Sequence, residues 1–395
     1  MKDTNEDLAQ LLQHFDIFND EHFSRRWEVM EYARDKCPVA HSSADGGLHL
    51  VTRYEHVKKV LSDPDTFSSV ESSPRPSPVP LPPLDVDPPL HGHFRKLLNR
   101  YFTRPYLRKH EPVMREIARE AIAAFADRGR CEFISEFAIP FTSATAAKIV
   151  FDEDDKERMA RAVAAVEKVA RENSPEAYQA VAALAAEYMT ERQDPADDRD
   201  DLISAIARGE VDGRPLTVEE RIGVVTVLFI GGLDTTRGAI SNIAANVARH
   251  PELEGRLRNP DWIRSDLDEF LRFESPVLAL RRQVTKDCTL GGASLKAGDI
   301  VMLLYASANR DKSRFPDADR LDFTGNGGGH LAFGFGIHRC VGATLARIQI
   351  EIAFDELFKH ITNLRWEGPD AGPAYEAGAV LTPTRLVLGF DPVAG

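Results

Sequence analysis

Phe333-Gly334-Phe335-Gly336-Ile337-His338-Arg339-Cys340-Val341-Gly342 is the stretch on which the reading of this chain turns. Three glycines in nine residues permit backbone conformations that a side chain forbids, so the stretch reads as a shaped loop and not as regular helix or strand. The apolar period then changes: Val341, Leu345, Ile348 and Ile352, at spacings of four, three and four, form one face of a helix that begins at or just after Cys340. A cysteine at a helix N-terminus meets unpaired amide groups and the positive end of the helix dipole, which favour the thiolate. A thiolate is both a nucleophile and a soft metal ligand. The competing reading is a buried structural cysteine, since free Cys is among the most buried residue types.

Working outward, the 395 residues contain no linker that separates two self-sufficient cores, and a single large domain is expected. The net charge of -13 argues against general nucleic-acid binding. Cys37, Cys131, Cys288 and Cys340 are scattered, without the paired spacing of zinc sites or disulfide scaffolds, so a reducing cytoplasm is the expected compartment. Residues 1–20 are polar and acidic, lack the basic start and apolar run of a signal or anchor, and are expected to be loosely ordered. No membrane segment and a monomeric state are expected.

Several other segments carry information. Thr217 and Glu220 have capping-box spacing and open a helix predicted to run to about His250. Its apolar centre, Gly223 to Leu233, is too short to span a bilayer and is closed off by Asp234 and Arg237, which suits a buried core helix. Within it, Gly231-Gly232-Leu233-Asp234-Thr235-Thr236 is a locally costly choice, and such conflicts often mark function. The local alternative is a helix end, with Asp234 or Thr235 capping a new helix.

Ser68 to Pro89 is rich in proline and serine and is predicted to be a long surface loop, with Arg75 its only basic residue, an exposed side chain or an anchor for an acidic substrate. His91 to His110 reverses the charge of the chain: Lys96, Arg100 and Arg104, four apart, are predicted to line one helix face until Pro105 interrupts it. This is either a solvated face or a docking patch for an acidic partner. Glu111 to about Glu191 is alanine-rich and helical, with breaks near Gly129 and at Asn173-Ser174-Pro175, where Ser174 has the look of an N-cap. A solvated acidic loop is expected over 191–201, and a helix after Asp261 carries Glu269 and Arg272 three apart on one face. Short strands are predicted at Leu48–Val51, Ile300–Tyr305 and Arg385–Phe390.

Phe-Gly-x-Gly-x-His-x-Cys-x-Gly resembles the haem-binding loop of the cytochrome P-450 monooxygenases, and the acid-Thr and Glu-x-x-Arg segments stand in the same order in that family. The resemblance extends from about Leu48 to Phe390 and implies a mainly α fold with small β-sheets, with haem b between the 217–250 helix and the 333–342 loop. Cys340 is then the axial iron ligand, pushing electron density that favours O–O cleavage. Gly231 leaves room beside the haem and Phe333 lies in its loop. Thr235 becomes a hydrogen-bonding partner at the oxygen site, and Asp234 takes part in proton relay. Asp87-Pro88-Pro89-Leu90-His91-Gly92-His93-Phe94-Arg95 resembles the family's propionate-binding segment, although Leu90 stands where an acid is usual; His91, Arg95, Arg282 and His338 are expected to neutralise the two propionates. Val227, Ile230, Leu278 and Val380 are expected to face the substrate. Glu269 and Arg272 become a buried brace, whose customary third member, an arginine, is replaced by Gly325 unless Arg320 substitutes.

The expected activity is insertion of one oxygen atom from O2 into a small or medium apolar molecule. Electrons are expected from a separate ferredoxin with an NAD(P)H-dependent reductase, docking near Lys96, Arg100 and Arg104, because the chain ends at Gly395 without room for a fused reductase. A peroxide-driven peroxygenase of the same fold and a haem-binding sensor or carrier are the alternatives; neither needs the Asp234-Thr235 pair.

Overall fold

Apolar residues recurring every three or four positions give the middle of the chain a set of helices whose buried stripes pack on one another. The computed structural model describes residues 2–192, 199–259, 264–325, 327–368 and 372–393. In chain order come α1 (Lys2–Leu12), β1 (Val39–Ser42), β2 (Leu48–Val51), β3 (Phe67–Ser68), α2 (Leu90–Asn99), α3 (Glu111–Ala123), β4 (Arg130–Glu132), α4 (Ile139–Ala146), α5 (Lys156–Glu172) and α6 (Pro175–Glu191). These are followed by α7 (Val218–Leu233), α8 (Thr235–Arg249), α9 (Arg264–Phe273), β5 (Ala279–Val284), β6 (Ile300–Leu304), α10 (Ala343–His360), β7 (Ile361–Trp366) and β8 (Val387–Pro392). One apolar core links α2 to α8 with α10 and β8, so the expected mainly α domain with small sheets is what forms. The larger sheet has the order β1-β2-β6-β5-β3, with β2 and β6 parallel and Val301 opposite His49; β7-β8-β4 is the smaller one.

Local signals act as their chemistry dictates. Thr217 and Glu220 form the reciprocal capping box that starts α7. Ser174 accepts a hydrogen bond from Ala177 N–H at the start of α6, one residue after Asn173 ends α5 at a φ of 49°. Gly223 allows the proline-rich loop to lie on α7, because a Cβ there would come within 2.2 Å of the Pro80 carbonyl oxygen.

Three expectations are corrected. Residues 2–12 are helical and pack on the Arg26–Lys36 helix and β1, with Leu8 and Leu12, four apart, buried in the apolar cluster that also holds Val29 and Met30, so this segment is not a loose arm. The predicted single helix over 217–250 is two, interrupted at Asp234: the Thr235 hydroxyl donates to the Gly231 carbonyl at 2.8 Å, and the Asp234 carboxylate turns to Arg237 instead of capping α8. Val218–Arg249 together is long and apolar enough to cross a membrane, yet 67% of its apolar window is buried within the protein. The basic run does not share one helix face, since α2 ends at Asn99, Arg100 enters a 3-10 turn, and Arg104 opens a new short helix with Pro105 in its first turn. Asp261, Asn326 and residues 193–198 of the acidic loop lie outside the described residues.

Glu269 and Arg272 are paired as expected and wholly buried, with Arg272 Nε and Nη2 donating to the two carboxylate oxygens at 2.7 Å each. Backbone groups take the place of the missing third residue. Arg272 also donates to the carbonyls of Asn309, Ala318 and Arg320, and Glu269 accepts from Asp322 N–H at 2.6 Å. The Arg320 guanidinium is elsewhere, exposed and paired with Asp317, so it contributes only its carbonyl to the brace. Gly325, at a φ of +96°, serves the turn that follows. Removing one partner of a buried pair strands the other charge, so Glu269→Gln is expected to cost about 3–5 kcal/mol of stability. Arg320→Ala is expected to change it by less than about 0.5 kcal/mol. Urea unfolding of both variants beside the parent checks this, and a Gln variant as stable as the parent refutes it.

Candidate functional site: a cysteine-lined cavity

The shape of the cysteine loop follows from its glycines. Gly334 and Gly336 have φ values of +67° and +70°, and a Cβ on Gly336 would sit 2.4 Å from the Leu61 carbonyl oxygen. Cys340 N–H donates to the Phe333 carbonyl at 2.9 Å and closes the loop. The helix α10 begins at Ala343, so Cys340 lies just ahead of the helix, where the Gly342 and Ala343 N–H groups hydrogen-bond its sulfur. Cys340 has accessible surface, which lines a partly open cavity. Burial pushes the thiol pKa up, opposed by the two N–H groups and by Arg95 and Arg339.

The cavity has a volume of about 310 Å³. Phe333 and Cys340 contribute to its lining, and facing helices α7 and α8 supply Val227, Ile230, Gly231, Asp234 and Thr235. A Cβ added at Gly231 or Gly232 would meet nothing within 4 Å, so the glycines leave open space at the interruption of the two helices. Val380 lines the cavity through its bridge to Val277. Leu278 does not, and is the one expected lining residue placed elsewhere. It points into a cluster with Phe23, Ala306 and Leu381, while its neighbours Val277 and Ala279 face the cavity, as alternation along extended chain requires.

His91, Arg95, Arg282 and His338 converge on the same cavity. Arg282 is 3% exposed and donates to the Arg281 carbonyl at 2.7 Å; Arg95 donates to the Arg339 carbonyl at 2.8 Å. Among the described residues neither has a carboxylate partner, and His91 Nε2 is buried without any hydrogen-bond partner. A buried cation at Arg282, a half-buried one at Arg95 and an orphaned ring nitrogen call for an anion. Burial, then Arg95, pushes His91 down to about 4, and burial, then Arg282, pushes His338 down to about 3. The two rings, 4.2 Å apart, therefore offer neutral hydrogen-bonding groups, and the positive charge at this wall comes from the arginines. His338 is also engaged by Ser69 Oγ at 2.9 Å, tying the cysteine loop to the proline-rich loop. The donor set fits a metalloporphyrin with two carboxylates: a thiol for the metal, two unpaired arginines for the anions, and glycines where a flat ring needs space.

Asp234 is 3% exposed and its Oδ1 accepts from Arg237, which in turn pairs with Glu167 of α5. Its Oδ2 is buried without a partner, and burial raises its pKa while Arg237 lowers it. Among the polar cavity residues that the sequence reading did not assign to the site are Tyr305, buried near Arg282, and Gln349, whose buried Nε2 has no partner among the described residues. Tyr305 sits at the end of an apolar strand and Gln349 inside a helix pattern, and neither position carries a local signal. Arg75 pairs with Asp16 and Asp45 at 2.9 and 3.0 Å, so its charge is met within the protein. Lys96, Arg100 and Arg104 are exposed.

Comparison with known proteins adds a family. The cytochrome P450 family model matches residues 264–387. Cytochrome P450 107B1 of Saccharopolyspora erythraea is 31% identical across 92% of this chain and 93% of its own length. Vitamin D(3) 25-hydroxylase of Pseudonocardia autotrophica is 32% identical, over 80% of each. The structure of cytochrome P450 CYP109Q5 from Chondromyces apiculatus superimposes with a TM-score of 0.84 at 29% identity, covering 97% of this chain and 100% of that one.

Proposed function

The chain belongs to the cytochrome P450 family of haem-thiolate monooxygenases, and on that premise we propose that Cys340 is the axial ligand of haem b in the cavity and that the protein oxidises a small or medium apolar molecule with O2. The observation that carries this reading is the meeting, in one cavity, of the Cys340 sulfur with buried Arg282 and half-buried Arg95, neither of which has a carboxylate partner among the described residues. Arg95 and Arg282 would hold the two propionates by charge, with His91 Nε2 as a neutral hydrogen-bonding partner. Phe333 of the cysteine loop and Gly231 of α7, which both line the cavity, would leave room for the ring. Haem, when bound, supplies reduction of O2 and oxygen insertion into carbon.

The protein places substrate and protons. Val227, Ile230 and Val380 present apolar surface that excludes water and receives the substrate. The Thr235 hydroxyl, now donating to the Gly231 carbonyl, is free to rotate and donate into the space the glycines leave. Asp234 offers Oδ2, the oxygen that Arg237 does not engage, as the atom that takes up and passes on a proton. Glu167, 41% exposed in its side chain, brings the Arg237 ion pair to the surface of α5 and offers a route by which that proton is replaced. Electrons come from a ferredoxin with its NAD(P)H-dependent reductase, docking on the exposed charge of Lys96, Arg100 and Arg104. The protein acts as a monomer in the cytoplasm; the cytoplasmic part of that reading is supported by its four unpaired cysteines.

Reduced protein with carbon monoxide is expected to show the red-shifted Soret band of thiolate ligation in the parent and to lose it in Cys340→His; a parent spectrum without that band rejects the cofactor assignment. Thr235→Ala is expected to keep the band but to lower product formation from ferredoxin and NAD(P)H by about a hundredfold, the lower end of what a positioned proton-transfer group contributes. Unchanged product yield, or full turnover with peroxide alone, counts against the role given to Thr235. Arg100→Glu with Arg104→Glu is expected to slow reduction by an acidic ferredoxin at low salt and to flatten its salt dependence. Reduction kinetics that match the parent at every ionic strength remove the docking proposal.

A further inference from the structure

The corner between α5 and α6 and the proline-rich loop bring three polar side chains to a part of the cavity wall that the reading above does not use. Ser73, Asn173 and Tyr178 are 5%, 4% and 2% exposed, and all three line the cavity. Asn173 occupies the left-handed position that ends α5, a conformation asparagine tolerates. Its amide orientation is set by its neighbours: Oδ1 accepts the Arg75 N–H at 2.9 Å, so Nδ2 is the end that donates to the Tyr178 oxygen, at 3.0 Å. The Ser73 hydroxyl lies within hydrogen-bonding reach of the same phenolic oxygen.

The count of protons and acceptors then decides what the cluster lacks. Two hydroxyl protons are present, and one hydroxyl can donate to the other. Whichever way they turn, the second proton has no acceptor among the described residues. An unsatisfied buried hydroxyl costs about 1–3 kcal/mol. Around it the wall is apolar, with Val166, Val169 and Ala170 of α5. Arg75 is itself held by Asp16 and Asp45, so the loop that positions Ser73 and the asparagine is tied down before any ligand arrives.

We infer that Ser73, Asn173 and Tyr178 form a recognition subsite for a hydrogen-bond acceptor, a carbonyl or ether oxygen, carried by an otherwise apolar substrate. Calling the ligand a substrate rests on the monooxygenase reading; the hydrogen bond itself needs no turnover. The cluster would anchor one end of the molecule and so select which carbon is presented for oxidation, with Tyr178 and Ser73 acting as positioning residues.

The test uses haem-loaded protein and a matched pair of probes, cyclodecanone and cyclodecane, titrated against the ferric spectrum. The ratio of their dissociation constants is expected to move about five- to tenfold against the ketone in the Ser73→Ala/Tyr178→Phe double variant, the equivalent of one net hydrogen bond. A ratio equal to that of the parent overturns the subsite. Infrared difference spectroscopy of carbonyl-labelled cyclodecanone bound to the parent needs no variant. Its C=O stretch is expected below the value in hydrocarbon solvent, and an unshifted band overturns the proposal even if the double variant fails to fold. A shifted C=O band in a protein lacking the carbon monoxide signature would sustain the subsite while rejecting the monooxygenase reading, so the two failures are separable.

Discussion

The buried ion pair between Glu269 and Arg272 is the constraint on which the placement of the cysteine loop rests. Two charges this far from water are tolerated only when their remaining hydrogen-bonding capacity is filled. Here the filling groups are main-chain: three carbonyls from 309–320 for the arginine and the Asp322 N–H for the glutamate. The pair therefore imposes one path on the segment leading toward Cys340. Asn309 continues it, its side chain accepting from Leu331 N–H at 2.6 Å, while Asp268, one residue before Glu269, engages His330 and Arg347 on either side of the loop. A brace built from carbonyls tolerates loss of a side-chain member, which is why Gly325 in the arginine's customary place leaves it intact.

A second pattern separates the fold from its cavity. In the brace every strong polar group finds a partner, whereas on the cavity walls His91 Nε2, Asp234 Oδ2 and Gln349 Nε2 have none among the described residues, and Arg282 donates only to a main-chain carbonyl. Other buried polar atoms lack partners elsewhere in the chain, but these three line the one cavity that also holds Cys340, where a bound group can meet them. The character of the groups differs from wall to wall. Cations gather beside the cysteine, a carboxylate oxygen and a hydroxyl lie at the helix interruption, and a surplus hydroxyl proton lies at the corner of α5 and α6. The polarity of the cavity is therefore segregated, and its apolar surface lies between these points.

Much of this architecture was readable from short-range chemistry. The spacing of Thr217 and Glu220, the Asn173-Ser174-Pro175 corner and the three-residue separation of Glu269 and Arg272 act within one or two helical turns, so their consequences do not depend on the rest of the chain. Expectations failed where two distant segments compete. Asp234 would cap α8 in isolation, but Arg237, itself held by Glu167 of α5, offers it a charge partner. Leu278 is apolar enough for any wall, and strand alternation against Phe23 and Leu381 decided which one. Leu8 and Leu12 sit among polar residues and gain helical order by docking on the Arg26–Lys36 helix and β1, a partner that no local pattern within residues 1–20 announces.

By itself the sequence determined the helical class, the shaped glycine loop with its cysteine, the family, and the residue types available for chemistry, because these follow from periodicity, backbone freedom and local spacing. Only the tertiary structure decided that Arg95 and Arg282 meet no carboxylate among the described residues, that Asp234 breaks the long helix, and that Asn173 points its amide at Tyr178. Each of these is a matter of which distant group occupies the last few ångströms around a side chain, and hydrogen bonds and ion pairs are short-ranged enough that this distance settles their outcome.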